Sequence, residues 1–207
     1  VARRVEFLTA YQDSAYARRY ADLVAGVRAA EAARVPGATT LADAVARHYF
    51  KLLAIKDEYE VARLYAETDF AARVAAEFEG DYKLAFHLAP PAFSRRDPLT
   101  GVAAKRRFGP WVLKAFAVLA RLRRTRGTAL DLFGRSAERR RERALIGEYE
   151  VLVAELVAGL APPNHRLAVE LATIPERIRG YGHVRERHLT EAKAAEAKLL
   201  AEFRAAR

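Results

Sequence analysis

The side chains best suited to acid–base or metal chemistry are the five histidines, and their spacing does not gather them. They are His48, His87, His165, His183 and His188. A helix brings two ligands to one face when they stand three or four residues apart. No two of these histidines do, and His183 and His188 are five apart. A structural role with satisfied hydrogen bonds is therefore favoured over metal ligation for all five.

Phosphate-binding and nucleophile motifs give an equally weak signal. The glycines form neither GxxxxGK[ST] nor GxGxxG, and the pair Gly180 and Gly182 is typical of a helix end and turn. No G-x-S-x-G elbow occurs, which disfavours an acyl-serine enzyme. The serines are Ser14, Ser94 and Ser136. Carboxylates such as Glu142 and Glu150 lie on a predicted helix that begins among arginines, so solvated salt bridges are their favoured role.

Basic clusters are the one positive signal for binding. The chain carries 36 Lys and Arg against 26 Asp and Glu, and its net charge of +10 attracts acidic partners. The clusters are residues 95–96 (Arg95 and Arg96), 105–107, 121–126 and 135–143. The candidate contacts to an acidic partner or a phosphate are Lys105, Arg106, Arg107, Arg139, Arg140 and Arg143.

Two considerations decide how these clusters are interpreted. Arg139 and Arg140 fall in the predicted first turn of a helix, where anions bind favourably. No helix-turn-helix, zinc-finger, RRM or KH signature accompanies the clusters. A seam between domains or an acidic protein partner therefore suits the pattern at least as well as DNA does.

Composition sets further bounds. Neither Cys nor Met occurs, so this segment cannot supply thiolates to an iron–sulfur cluster, a zinc site or a disulfide. The missing Met leaves two readings, a trimmed initiator or a piece of a longer chain, and we favour the second. Hydrophobic residues at 52% with 30% charged residues indicate a folded protein. No signal peptide or membrane span is evident, so we expect a cytoplasmic location and no membrane partner.

The hydrophobic pattern predicts a mainly α, multi-helix domain with one small β-hairpin at about residues 81–109. Apolar and polar residues alternate over residues 82–88, which predicts the first strand. Residues 97–101 are a turn by composition, and residues 105–108 predict the returning strand. With no repeat and no flexible linker, we predict a single domain over residues 1–207.

Capping residues mark the expected helix ends. Apolar residues at three- and four-residue steps over residues 5–27 predict the first helix. Thr39 or Thr40 is expected to cap the second helix through its hydroxyl. Ser136 is expected to cap the longest helix, and Asn164 the helix that follows it.

Four collinear blocks carry a resemblance to a known family. They are KLLAIKDEYEVARLY (residues 51–65), FHLAPP (86–91), RRFGPW followed by RGTALDLFG (106–111 and 126–134), and LATIPERIRGYGHV (171–184). In this order they resemble the C-terminal domain of the long, fused-chain indolepyruvate ferredoxin oxidoreductases, of the 2-oxoacid:ferredoxin oxidoreductase family. The resemblance covers nearly the whole chain. Two positions depart from that pattern: Ile55, where an aromatic residue is usual, and Leu132, where proline is usual.

The resemblance implies a parent enzyme that oxidatively decarboxylates aryl-pyruvates such as indolepyruvate to acyl-CoA. That enzyme would use thiamine diphosphate, coenzyme A and iron–sulfur clusters, and would pass electrons to ferredoxin. This segment lacks thiolates and a Gly-Asp-Gly thiamine signature. We therefore expect an accessory C-terminal domain with no catalytic residue and no cofactor of its own. Its expected partners are the other domains of the enzyme, with ferredoxin as a further candidate.

Two other classes of function stay open from the sequence. The main alternative is an independent basic helical module that binds nucleic acid or another polyanion, although nucleic acid is the less favoured partner. A small hydrolase ranks lowest, since only scattered His, Asp and Glu residues speak for it.

Overall fold

The computed structural model describes residues 1–89, 104–180 and 182–206. The chain divides into two compact units, one formed by residues 1–55 and 131–207 and the other by residues 56–130. The predicted fold class, mainly α with a small hairpin, is confirmed. The predicted single domain stays a prediction, because two compact units can belong to one domain.

The described residues form nine α-helices and two strands. In chain order these are α1 (Ala2–Tyr11), α2 (Ser14–Arg34), α3 (Thr40–Leu53), α4 (Glu58–Ala66), α5 (Phe70–Glu77), β1 (Phe86–Leu88), β2 (Arg106–Phe108), α6 (Val112–Arg121), α7 (Ala137–Gly159), α8 (His165–Thr173) and α9 (Gly182–Ala205). Short 3-10 helices cover Leu122–Thr125, Pro162–Asn164 and Ile174–Arg177. Within the described ranges, no helix is both long and apolar enough to cross a membrane.

The predicted first helix over residues 5–27 is wrong, because the chain forms two helices there. The carboxylate of Asp13 accepts a hydrogen bond from the backbone N–H of Tyr16 at 2.8 Å, and so caps α2. An N-cap residue has extended backbone, which separates α1 from α2. Apolar periodicity continues across the break because α1 and α2 pack on the same core.

The predicted hydroxyl cap of α3 is also wrong. Thr39 makes no side-chain cap bond. Instead, the carboxylate of Glu31, on α2, accepts hydrogen bonds from the backbone N–H groups of Leu41 (2.8 Å) and Ala42 (2.9 Å). A carboxylate there also complements the positive end of the helix dipole. The start of α3 is therefore satisfied by a residue from a neighbouring helix.

Around α7 one cap prediction is confirmed and two statements are wrong. Ser136 caps α7 by accepting from the N–H of Arg139 at 3.2 Å. Asn164 does not cap α8 through its side chain, which instead accepts from the N–H of Ala161 and donates to the carbonyl of Gly159, both at 2.9 Å. The longest described helix is α9, with 24 residues against 23 in α7.

The core of the first unit contains stacked tyrosines. Tyr20, Tyr49 and Tyr149 are buried, with ring centroids 6.0 Å apart at each step. Tyr20 donates its hydroxyl proton to the carbonyl of Ala46, and Tyr149 donates to that of Ala172. Because each buried phenol has an acceptor, the stack joins α2, α3 and α7 without leaving a polar group unsatisfied.

In the second unit α4 and α6 pack together and the hairpin completes the core. Phe86 of β1 lies against Tyr65 and Phe116, with ring centroids 5.4 and 6.0 Å away. β1 and β2 are antiparallel, with His87 opposite Arg107. The predicted strand over residues 82–88 is shorter than expected, because β2 pairs only with Phe86–Leu88. The predicted turn at residues 97–101 and the cluster of Arg95 and Arg96 lie outside the described residues.

Candidate functional site

Two arginines near the start of α7, Arg139 and Arg143, belong to an internal ion-pair network. Asp131, in the loop before α7, is 3% exposed and accepts from the backbone N–H groups of Phe133 (3.1 Å) and Gly134 (2.9 Å). The same carboxylate pairs with Arg143. A Cβ at position 134 would lie 2.5 Å from Oδ2 of Asp131, so glycine is required for this approach.

A second buried carboxylate completes the network. Glu142 is 5% exposed and accepts from Arg139 at 2.7 Å and from Arg185 of α9. Two cations thus neutralise one carboxylate and tie α7 to α9. Arg139 and Arg143, both predicted as partner contacts, therefore serve the fold of this unit.

Arg140 differs from its two neighbours. It is exposed, and its guanidinium donates to the backbone carbonyl of Arg135 at 2.6 Å. Of the three α7 candidates, Arg140 alone is not paired with a buried carboxylate among the described residues. Of the two first-turn arginines expected to favour an anion, Arg140 therefore remains as an exposed side chain. Ser136 already accepts a hydrogen bond from one of the backbone N–H groups of that turn, the N–H of Arg139.

The other basic region runs from β2 of the hairpin to the end of the second unit. Residues 104–130 hold eight Lys and Arg and no Asp or Glu, whereas residues 56–81 hold eight Asp and Glu and three Lys and Arg. Charge is therefore segregated along the second unit.

Two of the eight cations are neutralised by residues 56–81. Arg126 is buried and donates to both carboxylate oxygens of Asp57, at 2.6 and 2.8 Å, with its guanidinium 5.3 Å from the ring centroid of Tyr59. Arg123 pairs with Glu67 at 2.6 Å. These two arginines hold the unit together by charge and by cation–π contact.

The six other cations of this region are exposed, and none of them forms an ion pair with a residue that the structure describes. They are Lys105, Arg106, Arg107, Lys114, Arg121 and Arg124. Three of them, Lys105, Arg106 and Arg107, are residues predicted from sequence as partner contacts, and they are consecutive, at the start of β2 and immediately before it. We call this set the basic surface of the second unit.

Two of the five histidines, His165 and His188, have the hydrogen bonds expected of a structural role. His165 contacts Glu31 at 2.7 Å, and His188 contacts the carbonyl of Arg179 at 2.9 Å. His48 is buried, and its Nδ1 has no hydrogen-bond partner among the described residues, so the expectation of satisfied bonding is wrong for it. Burial lowers the pKa of His48. Among the described residues, no group of three or more His, Asp or Glu is placed to hold a metal ion.

Three polar arrangements were not singled out by sequence reasoning. Lys51 donates from Nζ to the carbonyls of Pro175 (2.7 Å) and Ile178 (3.1 Å). Burial is the main cause that lowers the pKa of Lys51, and the positive charge of Arg179 lowers it further. The second is the cap that Glu31 provides for the backbone N–H groups at the start of α3. Arg19 forms a bidentate pair with Glu150 at 2.6 and 2.7 Å. No local spacing marks these contacts, because each joins residues far apart in sequence.

The second unit also carries an open groove of about 590 Å³ along α4 and α5. Its lining combines Tyr65, Phe70 and Val74 with the charged side chains of Arg73 and Glu77. Charges of both signs line the groove, so its electrostatics favour neither an anionic nor a cationic ligand.

The fold and these contacts define the class: a helical protein with a small antiparallel hairpin, internal ion-pair networks and, in the part of the chain that the structure describes, an exposed basic surface. The chain belongs to a family of unknown function (DUF6537), whose sequence profile matches residues 1–198. No curated protein and no solved structure matches the chain.

Proposed function

We propose that this chain is the non-catalytic C-terminal domain of an indolepyruvate ferredoxin oxidoreductase. The parent would oxidatively decarboxylate aryl-pyruvates to acyl-CoA in the cytoplasm, with thiamine diphosphate, iron–sulfur clusters and coenzyme A held by other domains. This domain would pack on those domains and would offer its exposed cations to an acidic partner.

The observation that carries the proposal is that the blocks behind the resemblance meet in space. Asp57, in the block of residues 51–65, binds Arg126, which opens the block of residues 126–134. Lys51, in the first of these blocks, donates to carbonyls in the block of residues 171–184. The residues that give the chain its resemblance are thus residues that hold each unit together.

Such contacts indicate what these blocks are for. A bidentate Arg–Asp pair with both side chains buried is shielded from solvent and is not placed to meet a substrate. The ammonium group of Lys51 donates its hydrogen bonds to backbone carbonyls. Both arrangements suit a domain in which the residues that carry the resemblance are needed for folding. They therefore support a structural role within a larger enzyme.

The exposed cations support an electrostatic part to that role. Lys105, Arg106, Arg107 and Arg140 are exposed and suit contact with acidic ferredoxin or with coenzyme A phosphates. Arg139 and Arg143 are less suited, because each pairs with a buried carboxylate. The docking proposal therefore keeps four of the six residues predicted from sequence.

The mass of the native gene product tests the parent. A blot with antibody raised against residues 1–207 should detect a polypeptide several times heavier than 23.1 kDa. That polypeptide, once purified, should oxidise indolepyruvate with coenzyme A and ferredoxin. A product near 23.1 kDa, or a large product without this activity, would refute the proposal.

Charge reversal tests the docking part in the parent enzyme. The triple variant K105E/R106E/R107E should raise the KM for ferredoxin, and added salt should raise the wild-type KM in the same way. The matched control is R3E/R18E/R28E, which makes the same charge change at exposed arginines of the first unit. A rise in the KM for coenzyme A alone would assign the surface to phosphates. A ferredoxin KM unaffected by salt and by the triple variant would refute docking.

One observation favours a second candidate function. The carboxylate-free stretch of residues 104–130 is the charge pattern expected of a module that binds polyanions. The isolated chain should then retard duplex DNA at low salt, with a steep loss of affinity as salt rises. Absence of retardation at low salt would dismiss this alternative.

A further inference from the structure

The outward side of α6 combines apolar and basic side chains in a pattern that the core does not explain. Its inward side, Val112, Phe116 and Ala120, is buried in the second unit. On the outward side, Val118 and Trp111, the residue that immediately precedes the helix, are each 61% exposed. An exposed aromatic and an exposed aliphatic residue on one helix face mark an interaction surface when they are contiguous.

Helical geometry makes this face contiguous. Trp111 just before α6, the exposed Ala115 and Val118 within it, and Leu122 just after it recur at three- and four-residue steps, so they fall in one row. Leu122, at the end of the row, is 37% exposed. Lys114 and Arg121 are also seven residues apart and fall in the adjacent row, and both are exposed. The result is an apolar row bordered by cations, which we call the α6 docking face.

The hairpin extends the docking face at its N-terminal end. Phe108 of β2 contacts Trp111 edge to face, with ring centroids 6.0 Å apart. Next to Phe108 in β2, Arg107 is exposed and stands opposite His87. The exposed cations Lys105 and Arg106 precede it. Three cations therefore precede Phe108 in the chain, and strand alternation places Arg106 on the same face of the hairpin as Phe108.

We propose that the α6 docking face binds an acidic protein surface with an apolar centre. This inference deepens the proposed function and rests on it for the biological partner, but not for the chemistry of the contact. Charge complementarity carries it: residues 104–130 contain no carboxylate, and their six exposed cations have no ion-pair partner among the described residues. Tryptophan and arginine are the residues that most often dominate protein–protein binding energy.

The arrangement suits a protein better than a membrane or a nucleic acid. The wider apolar side of α6 is occupied by its own core, so the helix cannot immerse a broad apolar face in a lipid interface. Phosphate backbones are bound by cations and polar groups, and an apolar row between them adds nothing to that contact. A protein surface can use both rows, with its apolar residues at the centre and its carboxylates at the rim.

The test uses the whole 207-residue chain and an acidic ferredoxin as the probe, with affinity measured by calorimetry at low salt. Wild type should bind, and Val118→Asp should weaken binding about tenfold or more, since it places a carboxylate in the apolar row. The matched control is Val151→Asp on α7, where the valine is 71% exposed. It should change the affinity less than about twofold.

A charge test complements the apolar one. The double variant K114E/R121E should weaken ferredoxin binding about tenfold, and the control R18E/R28E should leave it nearly unchanged. Circular dichroism of each variant checks folding, and K114Q/R121Q, which removes charge without reversing it, should give an intermediate affinity.

Several outcomes would overturn the inference. One is no wild-type binding to the ferredoxin at low salt, and another is equal loss in Val118→Asp and Val151→Asp. Binding that depends on Val118 but is directed to short duplex DNA, or to vesicles of phosphatidylcholine and phosphatidylserine in equal amounts, would assign the face to those ligands. Self-association of the chain that Val118→Asp abolishes would assign it to a second copy. If the parent enzyme has the proposed activity but its affinity for ferredoxin is unchanged by Val118→Asp, this inference is rejected. The proposed function is then unaffected.

Discussion

Two arginine-rich regions of this chain look alike in sequence and are used in opposite ways. Near the start of α7, Arg143 and Arg139 meet the buried carboxylates Asp131 and Glu142. Most cations of residues 104–130 meet no carboxylate among the described residues and stay exposed. Both regions would be described as basic clusters from the sequence alone.

The difference lies in the supply of carboxylates. A buried carboxylate requires cations or N–H donors, because its desolvation is otherwise too costly. In the α7 network the arginines meet that need and help to fix the fold. In the second unit Arg126 pairs with the buried Asp57 and Arg63 with the buried Glu60, whereas Arg123 pairs with the exposed Glu67. The cations left over are those available to a partner, so the number of arginines says less than the number of buried acids near them.

The largest effect is expected at the buried pair of Asp57 and Arg126, where the second region behaves like the first. Asp57→Ala removes the partner of a buried guanidinium and the N-cap of α4 at once. It should lower the free energy of unfolding by about 3–5 kcal/mol, measured by urea denaturation.

The control for that change is Asp69→Ala. Asp69 also stands at a helix N-cap, but it is exposed and makes no cap bond, so its loss should cost at most about 0.5 kcal/mol. Equal costs for the two variants would mean that the buried pair contributes nothing beyond a generic N-terminal aspartate.

How much of this could be read from the sequence depends on the range of the contact. Ser136 was predicted as a cap, and the prediction is confirmed, because a cap is decided by residues three positions apart. Glu31 was missed because it caps α3 from ten residues away, and Asp57 meets Arg126 across 69 residues. Periodicity and spacing carry local information, and these contacts are not local.

The candidate site shows the same limit. The sequence pattern predicts the exposed Lys105, Arg106 and Arg107 as partner contacts, and it equally predicts Arg139 and Arg143, which are paired with buried acids. Asp131 lies twelve residues from Arg143, outside any helical spacing. Only the placement of the acids separates the two groups, and that placement follows from tertiary packing.

The second largest effect concerns the α7 network. Glu142→Ala leaves Arg139 and Arg185 without their shared carboxylate, although both can turn partly toward solvent. The free energy of unfolding should fall by about 2–3 kcal/mol. Glu138→Ala, an exposed change one turn earlier on the same helix, should cost about 0.5 kcal/mol through the helix dipole. If Glu142→Ala costs no more than Glu138→Ala, the network does not stabilise the fold.

A buried acid that uses a histidine and backbone groups instead of arginine sharpens the comparison through pH. Burial tends to raise the pKa of Glu31, but hydrogen bonds from His165, Ala42 and Leu41 outweigh it and lower the pKa. A lowered folded pKa gives stability that is present above about pH 4.3, the value for an unfolded Glu, and lost as pH falls through the folded pKa.

Glu31→Gln should therefore cost about 1–3 kcal/mol at neutral pH, because two buried N–H groups lose a charged acceptor. The difference from wild type should shrink as the pH is lowered into the acid range. Urea denaturation at a series of pH values measures this, with the exposed Glu6→Gln as control. A cost that does not change with pH would show that the charge of Glu31 is immaterial.

The smallest stability effect is expected on the basic surface of the second unit, and its smallness is informative. Arg121→Glu should change the free energy of unfolding by at most about 0.5 kcal/mol, because Arg121 is exposed and has no ion-pair partner among the described residues. Arg143→Glu makes the same charge change beside the buried Asp131 and should cost several times more. Thermal denaturation of both variants measures the contrast. A large cost for Arg121→Glu would show that this cation serves the fold, and would remove an argument for the docking face.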